Sequence, residues 1–304
     1  MAWSELGPTD ADEIFRLIGQ LEAADGSLVR TSREEVEGYF DDAMVWRAMG
    51  LRASDGSLLA FGLARMPGGG REVRLSGGVR PDARGEGIGR LLAAEQLRAA
   101  RGIGGTSALV HVDDANAELA ALLEREGFEL SHTFVQMRMR LDEEDAAIPT
   151  PAHIRIEPLS PERDGGVVRF HNAVQAQAGG SAISPDAWAV EHAFIDRDWS
   201  FVAFDVRGDR PRIAAYIVCE RFEQDWQAFG WSEGYISEVV LGREWRGLRL
   251  ISLLLGWSMD AFRASGVSYA GIDVPEHDYL YSTYVDYGFE VTARTRVYVS
   301  NLDG

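Results

Sequence analysis

Apolar residues recur along this chain with two alternating periods, and the points where the period changes divide it into elements. From Asp10 to Leu21 the residues Ile14, Leu17, Ile18 and Leu21 keep the three- and four-residue spacing of a helix buried along one side. A second short helix is expected from Glu34 to Met44. Trp46 to Ala53 and Leu58 to Met66 read as strands around the turn at Ser54, Asp55 and Gly56, and Val73 to Val79 as a third strand after Gly68, Gly69 and Gly70. A helix from Gly87 to Ala100, a strand from Ser107 to Val112, a helix from Asn116 to Glu126 and a strand from Phe128 to Met139 follow.

The same order then returns. Ile154 to Pro158 reads as a strand, with helices inside Glu162 to Gln177 and Pro185 to Phe194, and strands from Phe201 to Val206, Ile213 to Glu220 and Ile236 to Leu241. A helix from Leu248 to Ala264, a strand from Ser268 to Val274, a helix from Tyr279 to Tyr287 and a strand from Phe289 to Val299 close it. Landmarks fall in register: Arg84 and Gly85 match Arg246 and Gly247, and Gly127 and Phe128 match Gly288 and Phe289. The arginines are 162 residues apart and the phenylalanines 161, an offset that chance rarely preserves over such a distance. Two tandem domains are expected, 1–142 and 152–304, joined by the charged and then proline-containing stretch from Asp142 to Pro151. Each is an α/β (α+β) unit with a mixed central sheet flanked by helices.

Charge and composition narrow the function. A formal charge of -18 disfavours nucleic acid as partner, because non-specific binding to phosphate rests on cationic contacts. All 30 basic residues are Arg, so Schiff-base chemistry and a Walker-type phosphate loop, which need a lysine amine, are excluded. Cys219 is the one cysteine and sits in the apolar run from Ile213, which excludes internal disulfides and multi-cysteine zinc sites and marks the thiol as structural. No two of the six histidines have His-x-x-x-His spacing, so no metal is expected. No apolar run is long enough for a membrane span, and a cytoplasmic protein, monomer or homodimer, is the expectation.

The segment from Val79 to Leu92 is a strand end, a Pro81 turn, the alternate glycines Gly85, Gly87 and Gly89, and a helix start. Unpaired backbone N–H groups at a helix N-terminus bind anions, and glycine lets a phosphate approach without a Cβ in the way. A dinucleotide fingerprint requires a glycine three residues after Gly87, where Arg90 stands.

Arg84, Gly87 and Gly89 resemble the Arg/Gln-x-x-Gly-x-Gly/Ala signature of the GNAT acetyltransferase superfamily, and Asn116 with Gly127 and Phe128 resembles its later landmarks. The repeat makes the chain similar in plan to the two-domain acetyltransferases of the mycothiol synthase group. The resemblance implies acetyl-CoA as cosubstrate, a central strand pair that splays apart, and a pyrophosphate held by Arg84, Gly85, Glu86, Gly87, Ile88, Gly89 and Arg90. It also implies cofactor contacts at Gly78, Val79 and Asn116, and at Val240, Arg246, Gly247 and Arg249 of the second copy. There Arg249 and Ile251 replace both signature glycines, so that loop is degenerate.

Acetyl transfer to an amine needs a base for the ammonium proton and a donor for the leaving thiolate. In this family the two roles often fall to a carboxylate on the strand before the loop and a tyrosine near the last helix. Glu238 and Tyr284 stand at those places in the second half; Ser76 and Leu123 stand there in the first, with Glu72 a substitute base further up the strand. His277, matching Asn116, is either a substrate contact or a loop residue. The aromatic group Phe222, Trp226, Phe229 and Trp231 either walls an acceptor pocket or packs between domains. The expected function is acetyl transfer from acetyl-CoA to a small-molecule primary amine; a non-catalytic acyl-CoA sensor or scaffold, and a protein N-acetyltransferase, are the alternatives.

Overall fold

The computed structural model describes residues 3–27, 29–141 and 148–303. Asp142 to Ala147 of the expected linker lie outside the described residues. In the first half the elements are β1 (Trp3–Leu6), α1 (Ala11–Asp25), α2 (Arg33–Gly38), β2 (Met44–Arg52), β3 (Leu58–Pro67), β4 (Glu72–Val79), α3 (Ile88–Gly102), β5 (Ser107–Asp113), α4 (Ala117–Arg125) and β6 (Glu129–Arg140). The second half repeats them, with one helix, α7, added between its third and fourth strands, as β7 (Ile154–Pro158), α5 (Asp164–Ala178), α6 (Pro185–Glu191), β8 (Phe201–Asp205), β9 (Arg212–Glu220), α7 (Glu223–Phe229), β10 (Glu233–Leu241), α8 (Leu250–Ala264), β11 (Tyr269–Pro275), α9 (Tyr281–Tyr287) and β12 (Glu290–Asn301).

Local chemistry explains several boundaries. Ser32 starts α2 by accepting from Glu35 N–H at 3.1 Å while the Glu35 carboxylate accepts from Ser32 N–H, a reciprocal cap. The helix expected to reach Met44 stops at Gly38, because Met44 already pairs with Pro67 as the first residue of β2. Two elements have no counterpart in the periodicity: β1 is only four residues long, and α7 is a helix of seven.

By packing, the first unit comprises Met1–Thr133 together with Arg294–Gly304, and the second Phe134–Ala293. Each half thus supplies its last strand to the other's unit. In the first unit β12 pairs antiparallel with β5, Thr295 to Asn301 against Asp113 to Ser107, and completes the order β1-β2-β3-β4-β5-β12. Tyr298 and Leu302 of this returning segment are buried with Ala64, Val73 and Val112. In the second unit β6 pairs with β11, Phe134 to Arg140 against Pro275 to Tyr269, and the order is β6-β11-β10-β9-β8-β7.

Side chains alternate across each sheet, so each unit has two cores. On one face of the second unit, Ala215, Ile217 and Cys219 pack with Leu254, Phe262 and Tyr284 of α8 and α9. On the other, Tyr216, Val218 and Val240 pack with Val167, Val168 and Trp188 of α5 and α6. The first unit repeats this, with α1 and α2 on Phe61 and Leu63, and α3 and α4 on Ala64 and Met66.

Candidate active site

The central parallel pair splays in both units. β4 and β5 pair only from Glu72–Arg74 with Ser107–Leu109; beyond that, β4 runs on against β3 to Val79 and β5 against β12 to Asp113. Likewise β10 and β11 pair only from Glu233–Ile236 with Tyr269–Ile272, after which β10 stays with β9 and β11 with β6. Among the described residues, each split leaves strand edges without a strand partner along its walls, where an extended ligand can add backbone hydrogen bonds.

The turn at the end of each split has one backbone design and two sequences. In the first unit Gly85 and Gly87 have φ of 79° and 82°, and a Cβ at either would meet nothing within 4 Å. Gly89 is ordinary helix; its missing Cβ faces Leu122 of α4 at 3.5 Å and Val79 at 4.0 Å, across the mouth of the split. In the second unit Gly247 has φ 90°, and Arg249 takes φ 54°, the left-handed conformation of the matching Gly87. A non-glycine residue there costs about 1–2 kcal/mol. The degenerate sequence has therefore kept the backbone conformation of the intact turn. Arg246, Gly247, Arg249, Tyr279, Thr283 and Asp286 line a cavity of about 360 Å³ beside it, with the Arg246 guanidinium 4.5 Å from the Tyr279 ring centre.

Other expected cofactor contacts have duties of their own. Arg84 forms a two-pronged ion pair with Asp25 at 2.5 and 2.9 Å and donates to Val79 O at 3.1 Å, so it ties the turn to the end of α1. Arg90 pairs with Glu126 at 2.9 Å, Glu86 is exposed, and Ile88 is buried beside Leu51, Ala60 and Ala83. Asn116 caps α4, its Oδ1 accepting from Leu119 N–H at 3.1 Å. Gly78 makes room for Leu21, whose Cδ1 would lie 2.6 Å from a Cβ. Gly77, with φ 136°, is demanded by β3: a Cβ would meet Phe61 O at 2.3 Å. Val240 is buried in the core under α5 and α6.

Glu238 owes its direction to a bulge. Ile236 lies opposite Cys219 and Glu238 opposite the next β9 residue, Val218, so Ser237 is the extra residue and side-chain parity reverses across it. Ile236 faces the α8 core, whereas Glu238 and Val240 face α5 and α6. Glu238 Oε1 lies 2.8 Å from His171 Nδ1; its Oε2 accepts from Tyr216 OH at 2.5 Å and lies 3.4 Å from His192 Nε2. His171 Nδ1 is 2.9 Å from Tyr216 OH, and His192 Nδ1 is 3.1 Å from Glu220 Oε1. Trp188 packs on His192, ring centres 4.6 Å apart.

Burial works against the Glu238 anion, but hydrogen bonds from His171 and His192 outweigh it and hold the carboxyl well below the usual range. Burial also opposes the His192 cation, yet bonds to Glu220 and Glu238 push it up to about 9. Tyr216 is raised well above its ordinary value by burial and by the Glu238 charge. Spacing along the sequence could not expose this cluster. One signal was present: His171 falls on the face of α5 that buries Val167 and Val168, and His192 lies one turn after buried Trp188.

Tyr284 lies in the other core, 2% exposed, with its ring edge-on to Phe289 at 6.2 Å, and burial raises its hydroxyl far above the usual range. Its helix follows β11, the far wall of the split. In the first unit, the Ser76 carbonyl accepts from Gln96 Nε2 at 2.7 Å, Leu123 is buried, and Glu72 sits in the paired part of β4. His277 is exposed. The aromatic group packs inside the second unit: Arg138 lies over Phe229 at 4.9 Å and Trp231 at 5.8 Å, and Phe222 lies 5.8 Å from Tyr235. Cys219 is fully buried against Ser258. Among the described residues no group of His, Cys, Asp and Glu is arranged to hold a metal ion, and no helix is long and apolar enough to cross a membrane.

Asp273 stands one residue past the last parallel pair, Ile236 with Ile272, on the face away from the α8 core. Its Oδ1 is buried without a hydrogen bond. Burial chiefly, and then the Glu233 charge, push the carboxyl up to about 6 against the opposing pull of Arg138 and of hydrogen bonds to Tyr235 and Gln136. A carboxyl raised in the fold is penalised above the folded pKa and unpenalised below the unfolded one. Asp273→Asn is therefore expected to stabilise the protein by on the order of 2–3 kcal/mol at pH 8. The gain should vanish near pH 3.5, and urea titrations at the two pH values measure it.

The sequence pattern of the acetyltransferase (GNAT) family matches residues 25–128, from the end of α1 to Phe128. Residues 25–128 belong to the GNAT acetyltransferase family. The fold of the whole chain is that of tandem GNAT proteins. A tandem GNAT protein from the clavulanic acid biosynthesis pathway superposes with a TM-score of 0.75 at 16% identity, over 100% of this chain and 99% of that one. A GCN5-related N-acetyltransferase from Sphaerobacter thermophilus gives 0.72 at 18% identity, over 99% and 95%. The GCN5-related glucosamine N-acetyltransferase region of a fungal multi-domain β-N-acetylglucosaminidase gives 0.77 at 14%, over 98% of this chain and 38% of that one. No curated protein sequence matches. GNAT proteins transfer acyl groups from acyl-CoA, and in each unit a strand split ending in the same left-handed turn suits that donor.

Proposed function

We propose that the chain is an acetyl-CoA-dependent N-acetyltransferase whose chemistry occurs in the second unit, on a small-molecule primary amine. One observation carries the reading: the bulge at Ser237 turns Glu238 onto the α5 and α6 face just where β10 leaves β11. An amine approaching the split from that face meets the Glu238 carboxylate, whose charge attracts the protonated form. The hydrogen-bonded group of Glu238, His171 and His192 then serves as sink for the ammonium proton, and the free amine attacks.

Acetyl-CoA supplies the activated thioester and a thiolate leaving group. The turn residues Arg246, Gly247 and Arg249 hold its pyrophosphate in the second unit, and Arg84 to Arg90 do so in the first, through backbone N–H groups at the start of α8 and α3. Tyr284, on the helix behind the far wall, donates the proton to the leaving sulfur. The first unit, with Ser76 and Leu123 in place of these groups, binds cofactor without turnover.

Calorimetric titration with acetyl-CoA tests the double assignment. Two equivalents per chain are expected, falling to one when Arg246 and Arg249 are both changed to Ala. A wild-type stoichiometry of one, unaffected by those changes, would leave the second unit without donor and end the reading.

A further inference from the structure

The carboxylate that marks the site is poorly placed to take a proton itself. Three donors already surround Glu238, namely Tyr216 OH, His171 Nδ1 and His192 Nε2. His192 is in turn bound at its other nitrogen by Glu220, so both of its nitrogens are committed to carboxylates. His171 differs. Its Nδ1 faces Glu238 at 2.8 Å and Tyr216 at 2.9 Å, and its Nε2 has no hydrogen-bond partner among the described residues.

A carboxylate beside one imidazole nitrogen keeps the proton there and leaves the lone pair on the other. Building on the acyltransferase reading, we infer that His171 is the general base of the second unit and that Glu238 is its positioning residue. His171 Nε2 takes one proton from the acceptor ammonium, breaking an N–H bond there and forming one on the ring. The resulting imidazolium is stabilised by Glu238, and the nitrogen lone pair so freed attacks the thioester carbonyl; the carbon–sulfur bond then breaks, Tyr284 protonates the departing thiolate, and the second N–H proton, lost as the amide forms, returns through solvent to the Tyr284 oxygen.

The groups facing this ring support the assignment from three sides. Tyr216 from β9 donates to Glu238, and Glu238 from β10 is bulged towards α5. His192 at the end of α6, braced by Glu220 and Trp188, clamps the second carboxylate oxygen. The tether of His192 keeps Glu238 from turning away when His171 becomes charged.

Two measurements test this. Nitrogen-15 spectra of ring-labelled protein, recorded on the neutral imidazole without acceptor or cofactor, should show His171 as the Nδ1–H tautomer, and Glu238→Gln should abolish that preference. In turnover with acetyl-CoA and an accepted amine, His171→Ala should lower kcat by about 100- to 10,000-fold with little change in the KM for acetyl-CoA, and added imidazole should restore part of the rate. An Nε2–H tautomer in the wild type would overturn the assignment whether or not the protein acetylates amines. So would a His171→Ala variant with wild-type kcat. Absence of turnover with every amine tested, alongside the expected tautomer, would count against the acetyltransferase reading and not against the dyad.

Discussion

Glu238→Gln is expected to lower turnover by about 100- to 10,000-fold while leaving the fold intact. Glutamine keeps the volume and one acceptor oxygen, so Tyr216 and His192 retain a neighbour of the same shape. It removes the negative charge that His171 and His192 both face at 2.8 and 3.4 Å. The loss should therefore appear in kcat, because the charge is needed most when a proton leaves the ammonium. Some loss of stability is expected as well: His192 would be left with Glu220 alone in a buried setting, and severing half of such a network costs a few kcal/mol. Thermal melts at matched pH separate the two effects. A variant that turns over at the wild-type rate would remove Glu238 from the mechanism.

The second large effect is expected at the first turn. Gly87→Val and Gly89→Val should each abolish acetyl-CoA binding in the first unit, for different reasons. At Gly87 the backbone itself requires φ near 82°, which a β-branched residue resists, so the turn must rearrange. At Gly89 the backbone is helical and accepts valine. The added methyls would instead fill the mouth between Val79 and Leu122, where the proposed pyrophosphate site meets the helix N-terminus. Calorimetry should show the stoichiometry fall from two to one in both variants. Unchanged affinity in both would end the assignment of this loop.

How far the sequence carries depends on the kind of signal. The helices and long strands were legible because Ile14, Leu17 and Ile18, or Ile213 to Cys219, have clear periods. β1 was too short to show one, and α7, with Trp226 and Phe229 on a helix of seven residues, reads equally well as a hydrophobic loop. The repeat revealed two copies of one plan but could not reveal which strand pairs with which. A strand such as β12 carries the same alternating pattern wherever it pairs, so its place beside β5 is a property of packing alone.

At the site the asymmetry is similar. Gly87 and Gly89 were legible because their spacing is chemical. Arg249 looked like the loss of a loop, yet its φ of 54° shows that the turn outlived its glycine at a modest cost in strain. The bulge at Ser237 has no sequence signature, and without it Glu238 would point into the α8 core with Ile236. His171 and His192 stand 67 and 46 residues before Glu238 and meet it only through the packing of α5 and α6 on β9 and β10.

The most direct test of the central claim is free-thiol release from acetyl-CoA across a panel of primary amines. Wild type, Glu238→Gln and Gly89→Val are compared on the same accepted amine. Chemistry in the second unit predicts that Gly89→Val keeps turning over while Glu238→Gln is nearly silent. A dead Gly89→Val beside a fully active Glu238→Gln would contradict it and move the active site to the first unit, with Glu72 and water in the place of the Glu238 cluster.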